Sequence, residues 1–458
     1  MLKLIVNEYI KMLKRKSTII ATIIVVLACV GLQLILKYTF NNLYSDEDYD
    51  SRSSMTVEAY EESIQQRIED GDVLHSTKRQ LEFVQALKKV GIKEMDHPCV
   101  SEVEEVILSG SYHGMPVEEK DVPQVLELIS YECTDFTHFL EIASEQSDME
   151  YTKAALNNAI TNPYKYLLDK GVKDVDDERV QKVYDIVNLQ NQIESYDDNS
   201  ADTIEMIKQY KVAKYALDNN LGYYIDDNTS LSMYSGEKQE TLWMVLLNSS
   251  SIFAILSICM LVLAGQIVAK EFSEGTIKFL LINPVKRGKI ITSKYLTLVS
   301  MSFILMVVTF VINIVLAVIF NGGHNLGCQY VTYSLSKEKV VAYAAILYYA
   351  KTYLLSFVQV IVYETMAFAL SSLLRSTAAA VGAGIACMLG GNIVTSIMMA
   401  FHIDWGRYLI FSNVDLQAVM NQTTGYIGHT MSFAVGVIVV HMIVFLLTAY
   451  DGFVRREV

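Results

Sequence analysis

The sequence predicts an all-α membrane protein, with six transmembrane helices and a large, mainly helical extracellular domain between the first and second of them. Three observations carry this. The 458 residues are 52% hydrophobic and only 19% charged, too apolar for a soluble chain of this size. Six runs reach the ~20 apolar residues a helix needs to cross a hydrocarbon core of about 30 Å; they cover 18–36, 242–268, 295–320, 343–374, 378–401 and 429–450. The formal charge of −14 is also segregated, residues 41–240 summing to −24 and the remainder to +10.

Taken in order, residues 1–16 set Leu2, Ile5, Val6, Tyr9, Met12 and Leu13 at helical spacing opposite Lys3, Asn7, Lys11 and Lys14. This reads as an amphipathic helix in the cytoplasmic headgroup layer, held by its apolar face and by anionic lipid; a plain extension of the first span is the alternative. The first span occupies 17–38. Its basic start and Val26-Leu27-Ala28-Cys29 imitate a lipoprotein signal, but the apolar run continues to Leu36 and Leu27 suits such a site poorly, so an uncleaved span is expected. Residues 39–241 form the acidic insert. It has four prolines (Pro98, Pro116, Pro123, Pro163) and repeats apolar residues at three- and four-residue steps over 57–69, 78–90, 125–143 and 201–218, which predicts helices around a core of their own.

The second span (242–268) is followed by a charged segment (269–294), and 295–458 holds spans three to six, with extracellular loops and a short cytoplasmic carboxyl end. Basic residues gather before the first span (Lys3, Lys11, Lys14, Arg15, Lys16), between the second and third (Lys270, Lys278, Lys286, Arg287, Lys289, Lys294), and at Arg375, Arg455 and Arg456. The positive-inside rule then places both termini in the cytoplasm of a plasma-membrane protein and the insert outside, with Lys337 and Lys339 on the opposing side.

Several functions are excluded. No phosphate-binding G-x-x-x-x-G-K-[ST] loop exists, since Gly288-Lys289 lacks both the upstream glycine and the following hydroxyl residue, so the chain is not expected to bind ATP. There is no H-E-x-x-H, no G-x-S-x-G, and no basic patch for nucleic acid. The reading is therefore not an enzyme and has no cofactor of its own.

In the segment after the second span, Val268, Phe272, Ile277 and Phe279 alternate with Lys270, Glu271, Glu274 and Lys278, and Glu274 stands four residues before Lys278 in the favourable order for a helical ion pair. Asn283 precedes Pro284, which ends the helix. A short amphipathic helix along the membrane surface is predicted.

Glu271, Glu274-Gly275-Thr276, Leu280-Leu281, Pro284, Arg287 and Lys294, at these spacings, resemble the signature between the second and third spans of ABC-2 type permeases, the membrane subunits of a class of ATP-binding cassette transporters. The basic amphipathic start, "KYALDNNLGYY" before the second span and "WGRYLIFSNVDL" after the fifth are similar as well; Ser293 departs from the glycine many members carry before the lysine. The resemblance covers the membrane portion, not the insert. It implies that the segment docks on a separate ATPase subunit, two copies per transporter, which binds the ATP and magnesium; that Glu271 and Glu274 dock; that Lys294 and Arg287 anchor the elbow at lipid phosphates; and that a second or related permease completes a twelve-span pathway. It also implies a partly re-entrant helical pair around Asp404, Trp405 and Arg407, with a plain interfacial loop as the alternative.

Glu364 lies near mid-membrane in the fourth span, where a carboxyl group is costly and a translocation-pathway role is the working expectation, against a glutamate bonded to a neighbouring helix for packing alone. Cys99 and Cys133 are the two cysteines of the insert, and an external compartment permits a disulfide between them, with two free thiols as the alternative. His97-x-Cys99 with Cys133-x4-His138 matches no usual zinc spacing, so no metal is expected. Gly382, Gly384, Gly390 and Gly391 permit close helix approach in the fifth span. The functional expectation is an ATP-driven exporter permease, of peptide or antimicrobial substrates. Two rivals stand beside it: a mechanotransmitting ABC membrane protein that acts through its external domain, and a membrane sensor or receptor.

Overall fold

The computed structural model describes residues 2–43, 54–69, 75–112, 115–146, 149–156, 158–196, 201–226, 241–275, 285–323, 325–334, 338–374, 376–420, 426 and 429–455. Helix α1 (Leu2–Leu13) is followed after Lys14 and Arg15 by α2 (Lys16–Leu43). The joint is tight: Arg15 N–H donates to Met12 O at 3.1 Å and Thr18 N–H to Arg15 O at 3.1 Å.

The insert builds two cores. Helices α3 (Val57–Glu69), α4 (His75–Val90), α5 (Val100–Glu104, continued by a π turn to Ser109) and α6 (Val122–Thr134) enclose Ile64, Phe83, Leu87, Val103 and Ile129. Helices α7 (Phe136–Gln146), α8 (Pro163–Asp169), α9 (Glu178–Ser195) and α10 (Ala201–Asp218) enclose Phe139, Leu140, Leu167, Ile186 and Tyr210. The starts follow local chemistry. Asn162 accepts Lys165 N–H ahead of Pro163, and Asp177 accepts Arg179 N–H, each satisfying an amide left over at a helix start. Gly110 leaves the π turn at φ +69°, a left-handed conformation that glycine adopts freely.

Two small sheets are present among the described residues. Strand β1 (Ser111–Tyr112) pairs antiparallel with β2 (Met115–Pro116), and β3 (Tyr224–Ile225), β4 (Gln329–Ser334) and β5 (Lys339–Ala344) form a second sheet in that order. The insert's unit comprises Asn42–Asp226 together with Val331–Ala342. Sequence reading left 331–342 as a loop between spans; its Val, Thr and Tyr residues suit a pleated surface, and the structure places it with the insert.

Gln190 on α9 is fully buried, and its amide both accepts Ile160 N–H at 2.9 Å and donates to Ile160 O at 3.0 Å. Gln190→Leu strands two backbone groups in the core, at about 1–3 kcal/mol each. A fall of roughly 2–6 kcal/mol in the unfolding free energy is expected, read from denaturant titration; a change below 1 kcal/mol would mean water replaces the amide.

The other unit comprises Met1–Asn41, Asp227–Tyr330 and Tyr343–Val458. After α2 it holds α11 (Thr241–Asn248), a 3₁₀ turn (Ser249–Ser251), α12 (Ile252–Ile267), α13 (Ala269–Ser273), α14 (Arg287–Asn321), α15 (Ala345–Leu373), α16 (Thr377–Ala400), α17 (Leu416–Met420) and α18 (Met431–Val454). Among the described residues six helices are long and apolar enough to cross a membrane, α11 and α12 counting as one. Their cores coincide with the six runs expected. One start moves: α14 begins at Arg287 rather than Tyr295, and its 35 residues span about 52 Å, longer than a hydrocarbon core of ~30 Å.

The second and fourth spans are the centre of this unit. They bury 61% and 67% of their apolar windows, against 11–28% for the others, which is why α15 tolerates Ser, Thr, Tyr and Glu along its length. Small residues set the spacing between helices. A Cβ on Gly265 of α12 would meet Val381 at 2.9 Å, and one on Gly384 of α16 would meet Leu261 at 3.0 Å, so the two helices interlock through reciprocal glycines. Gly391 faces the Phe411 ring at 2.5 Å in the same sense, whereas Gly382 and Gly390 look onto open space.

The "WGRYLIFSNVDL" run forms two 3₁₀ turns (Asp404–Tyr408 and Ile410–Ser412) and leads into α17. Asn413 ties them together, donating to Arg407 O at 2.8 Å and Leu409 O at 2.7 Å while its Oδ1 meets His429 Nε2 at 2.8 Å.

Candidate functional site

The second span stops at Ile267 because Val268 departs from helical geometry (φ −105°) before α13 begins at Ala269. The break is capped from α15: Ser371 Oγ accepts Val268 N–H at 3.2 Å and Ala269 N–H at 2.9 Å, amides that a helix start leaves without intrahelical partners. Helix α13 therefore leaves the second span at a fixed joint. Its Glu271 points inward and is buried.

Opposite it stands Lys294, two turns into α14 and fully buried. Its Nζ lies 3.0 Å from Glu271 Oε1 and 2.8 Å from Oε2 of Glu8 on α1. Lys11, half exposed and one turn beyond Glu8, adds a fourth charge at 3.5 Å from Glu8 and 4.0 Å from Glu271. Two carboxylates and two ammonium groups thus balance. The low-dielectric setting makes the attraction strong, and the loss of any one member costly.

The contact between α1 and α14 extends along one helix face. Beyond Lys294, Thr297 Oγ1 donates to Ile5 O at 3.5 Å, and Tyr9 OH hydrogen-bonds Ser300 Oγ. Helix α1 consequently buries Glu8 and Met12, and it leaves Val6, Ile10 and Leu13 exposed as an apolar stripe. The amphipathic reading of residues 1–16 singled out six apolar residues and four polar ones but not Glu8, the residue that fastens the helix. A signal was present: Glu8 is the sole acidic residue before Asp46, in a strongly basic stretch.

The structure redistributes the expected coupling residues. Lys294, expected at lipid phosphates, is enclosed by two carboxylates. Arg287 donates from Nη1 to Val454 O at 3.4 Å, at the carboxyl end of α18 where the helix dipole favours a cation. Glu274 is exposed and pairs with Lys270 at 3.5 Å, one turn earlier; the expected partner Lys278 lies outside the described residues, as do Thr276, Leu280, Leu281, Asn283 and Pro284. Gly275 takes φ +71° and ends α13, so the amphipathic helix expected to run on towards Leu281 is interrupted here.

Deeper in the bundle, Glu364 on α15 is completely buried. Neither carboxyl oxygen has a hydrogen bond of normal geometry among the described residues; the neighbouring Ser302 hydroxyl donates instead to Val299 O at 2.9 Å. Counting from Leu373 at the end of α15, it lies about 14 Å along the helix axis. Ser302 of α14 is the neighbouring group that the alternative reading, a glutamate bonded to an adjacent helix for packing, calls for.

A second polar group joins four elements and was not foreseen. Gln33 of α2 donates to Asn313 Oδ1 at 2.9 Å, Asn313 Nδ2 donates to Tyr353 OH at 2.9 Å, and Ser249 Oγ lies 2.9 Å from Tyr349 OH. Phe253 and Phe310 pack against these tyrosines. Each hydroxyl or amide alone is ordinary in an apolar run, so only their convergence marks the place. The 3₁₀ turn at Ser249–Ser251 follows from the run Asn248-Ser249-Ser250-Ser251, whose side chains hydrogen-bond back to Met244, Leu246, Leu247 and Asn248 carbonyls.

In the insert, Cys99 and Cys133 are free thiols, with His97 beside them and His138 elsewhere, against Tyr131 and Glu141.

Comparison with known proteins finds uncharacterized relatives. An uncharacterized membrane protein of Bacillus subtilis (strain 168), YdbK, is 29% identical over 209 residues, 45% of this chain and 80% of the relative. The uncharacterized protein YhcI of the same organism is 32% identical over 220 residues, 48% of this chain and 69% of the relative. Residues 205–458, which include Glu271, Lys294 and Glu364 but not Glu8, match a family described as protein of unknown function (DUF2705). The chain belongs to the DUF2705 family, and its six apolar helices and the membrane relative make it a multi-pass membrane protein.

Proposed function

We propose that this chain is the membrane-spanning permease subunit of an ABC-2 type ATP-driven exporter, with α13 and the start of α14 forming the cytoplasmic element on which a separate ATPase subunit acts. The observation that carries the reading is the buried Glu8–Lys294–Glu271 junction. It locks the interfacial helix α1, the elbow after the second span and the base of the third span into one lever. A push on α13 is then delivered through Ser371 to α15 and through Lys294 to α14 and α1. Glu274, exposed beside Gly275, is the residue left to meet a partner, while Glu271 braces the lever from inside. In this reading the insert is extracellular and both termini are cytoplasmic. A second permease copy covers the open face of α16 at Gly382 and Gly390, and the exported substrates are peptides or antimicrobial compounds.

The test is copurification. Tagged full-length chain, extracted in mild detergent, should carry an ATPase subunit, and Glu274→Lys should release it with the chain still monodisperse. ATP hydrolysis by the isolated chain, or labelling of Lys286→Cys from the outer face, would sink the proposal.

A further inference from the structure

The turn that introduces α5 is held by its own backbone: His97 N–H donates to Glu94 O at 3.4 Å, Val100 N–H to His97 O at 3.0 Å, and Ser101 Oγ to Pro98 O at 2.9 Å. It sets His97 and Cys99 at the rim of the core that α6 closes, and Cys133 sits on the last turn of α6. A ligand atom from each of the three lies within 4.8 Å of the other two. Cys99 is buried, while His97 and Cys133 are partly exposed, so the cluster has a closed side and an open one.

We infer that His97, Cys99 and Cys133 form a zinc site, with water as the fourth ligand on the open side. Two thiolates and an imidazole are a borderline-soft donor set suited to a d¹⁰ cation. In a tetrahedral site with bonds of about 2.3 Å to sulfur and 2.0 Å to nitrogen, ligand atoms stand roughly 3.5–3.8 Å apart. The cluster therefore has to contract by about 1.3 Å at most, within the reach of side-chain rotation. Without a cation both side chains are thiols, Cys99 buried and Cys133 partly exposed. Zinc binding displaces these protons. Cys99 N–H also donates to His97 Nδ1 at 3.2 Å; ligation by either ring nitrogen gives up this one long bond. The sequence spacing hid the site because it paired Cys133 with His138, whose ring packs on Tyr131 instead. A bound zinc would staple the turn before α5 to the end of α6, closing the 99–133 loop as a disulfide would.

The test uses untagged full-length chain, reduced, stripped with chelator and titrated with Co²⁺ as an optical probe. One cobalt per chain is expected, with thiolate-to-cobalt charge transfer and the intense visible bands of tetrahedral coordination, and Zn²⁺ should displace it. Cys133→Ser and His97→Gln, both partly exposed and so mild for folding, should weaken binding about ten-fold or more; Cys328→Ser should change nothing. Three results overturn the inference: no uptake of Co²⁺ or Zn²⁺ by the reduced chain, including one isolated with a Cys99–Cys133 disulfide; a cobalt spectrum that survives Cys133→Ser; or binding of Cu⁺ with none of Zn²⁺.

Discussion

Lys294→Met is expected to remove about 3–5 kcal/mol of stability, the largest loss of any single substitution in the membrane bundle. Methionine keeps most of the lysine stem, so packing changes little. What changes is that Glu8 and Glu271, both nearly buried, face one another with only Lys11 beside them, 3.5 and 4.0 Å away and half exposed. The measurement is unfolding of the detergent-solubilised chain by SDS titration. The triple change Glu8→Leu, Lys294→Met, Glu271→Leu separates charge from packing: with every buried charge gone, stability should return to near the starting value or above it. A Lys294→Met chain as stable as the parent would mean that the junction is open to water. Under the proposed function the triple variant should fold yet couple poorly, since apolar contacts leave α1, α13 and α14 free to slide.

Glu364→Leu carries the second large effect, of opposite sign. A completely buried carboxyl group whose oxygens make no hydrogen bond of normal geometry among the described residues costs free energy that a leucine does not, so the substitution should stabilise the chain by about 1–3 kcal/mol. Proteins retain such groups where activity depends on them. In the proposed exporter, substrate efflux should fall at least about ten-fold in both Glu364→Leu and Glu364→Gln, with assembly unchanged. Destabilisation by leucine would show that the carboxyl has a partner after all. Unchanged efflux in both variants would remove Glu364 from the pathway and leave it a buried cost without a use.

Much of the architecture was legible in the chain itself. The six spans were readable because crossing a bilayer demands ~20 apolar residues in succession, a requirement written in consecutive positions. In the insert α3, α4 and α10 were readable through their three- and four-residue spacing, whereas the run 125–143 divides into α6 and α7 at Asp135, and α5, α8 and α9 were not foreseen, although Asn162, Pro163 and Asp177 mark the starts of the last two. The break at Val268 and the left-handed Gly275 were not foreseen, nor were strands β4 and β5, which are too short and too close to two spans to stand out.

By itself the sequence determined which segments are apolar enough for a membrane, which are helical, and that Glu271 and Lys294 flank the turn between two spans. The tertiary structure alone decided their roles. It turned Lys294 from a surface cation into a buried one, brought in Glu8 from 286 residues away, buried Glu364 beside Ser302, and gathered His97 with Cys99 and Cys133 instead of His138. The physical reason is that hydrophobicity and helix period are properties of neighbours along the chain, whereas the worth of a charge or a thiol depends on what faces it across the fold, and on whether water is there too.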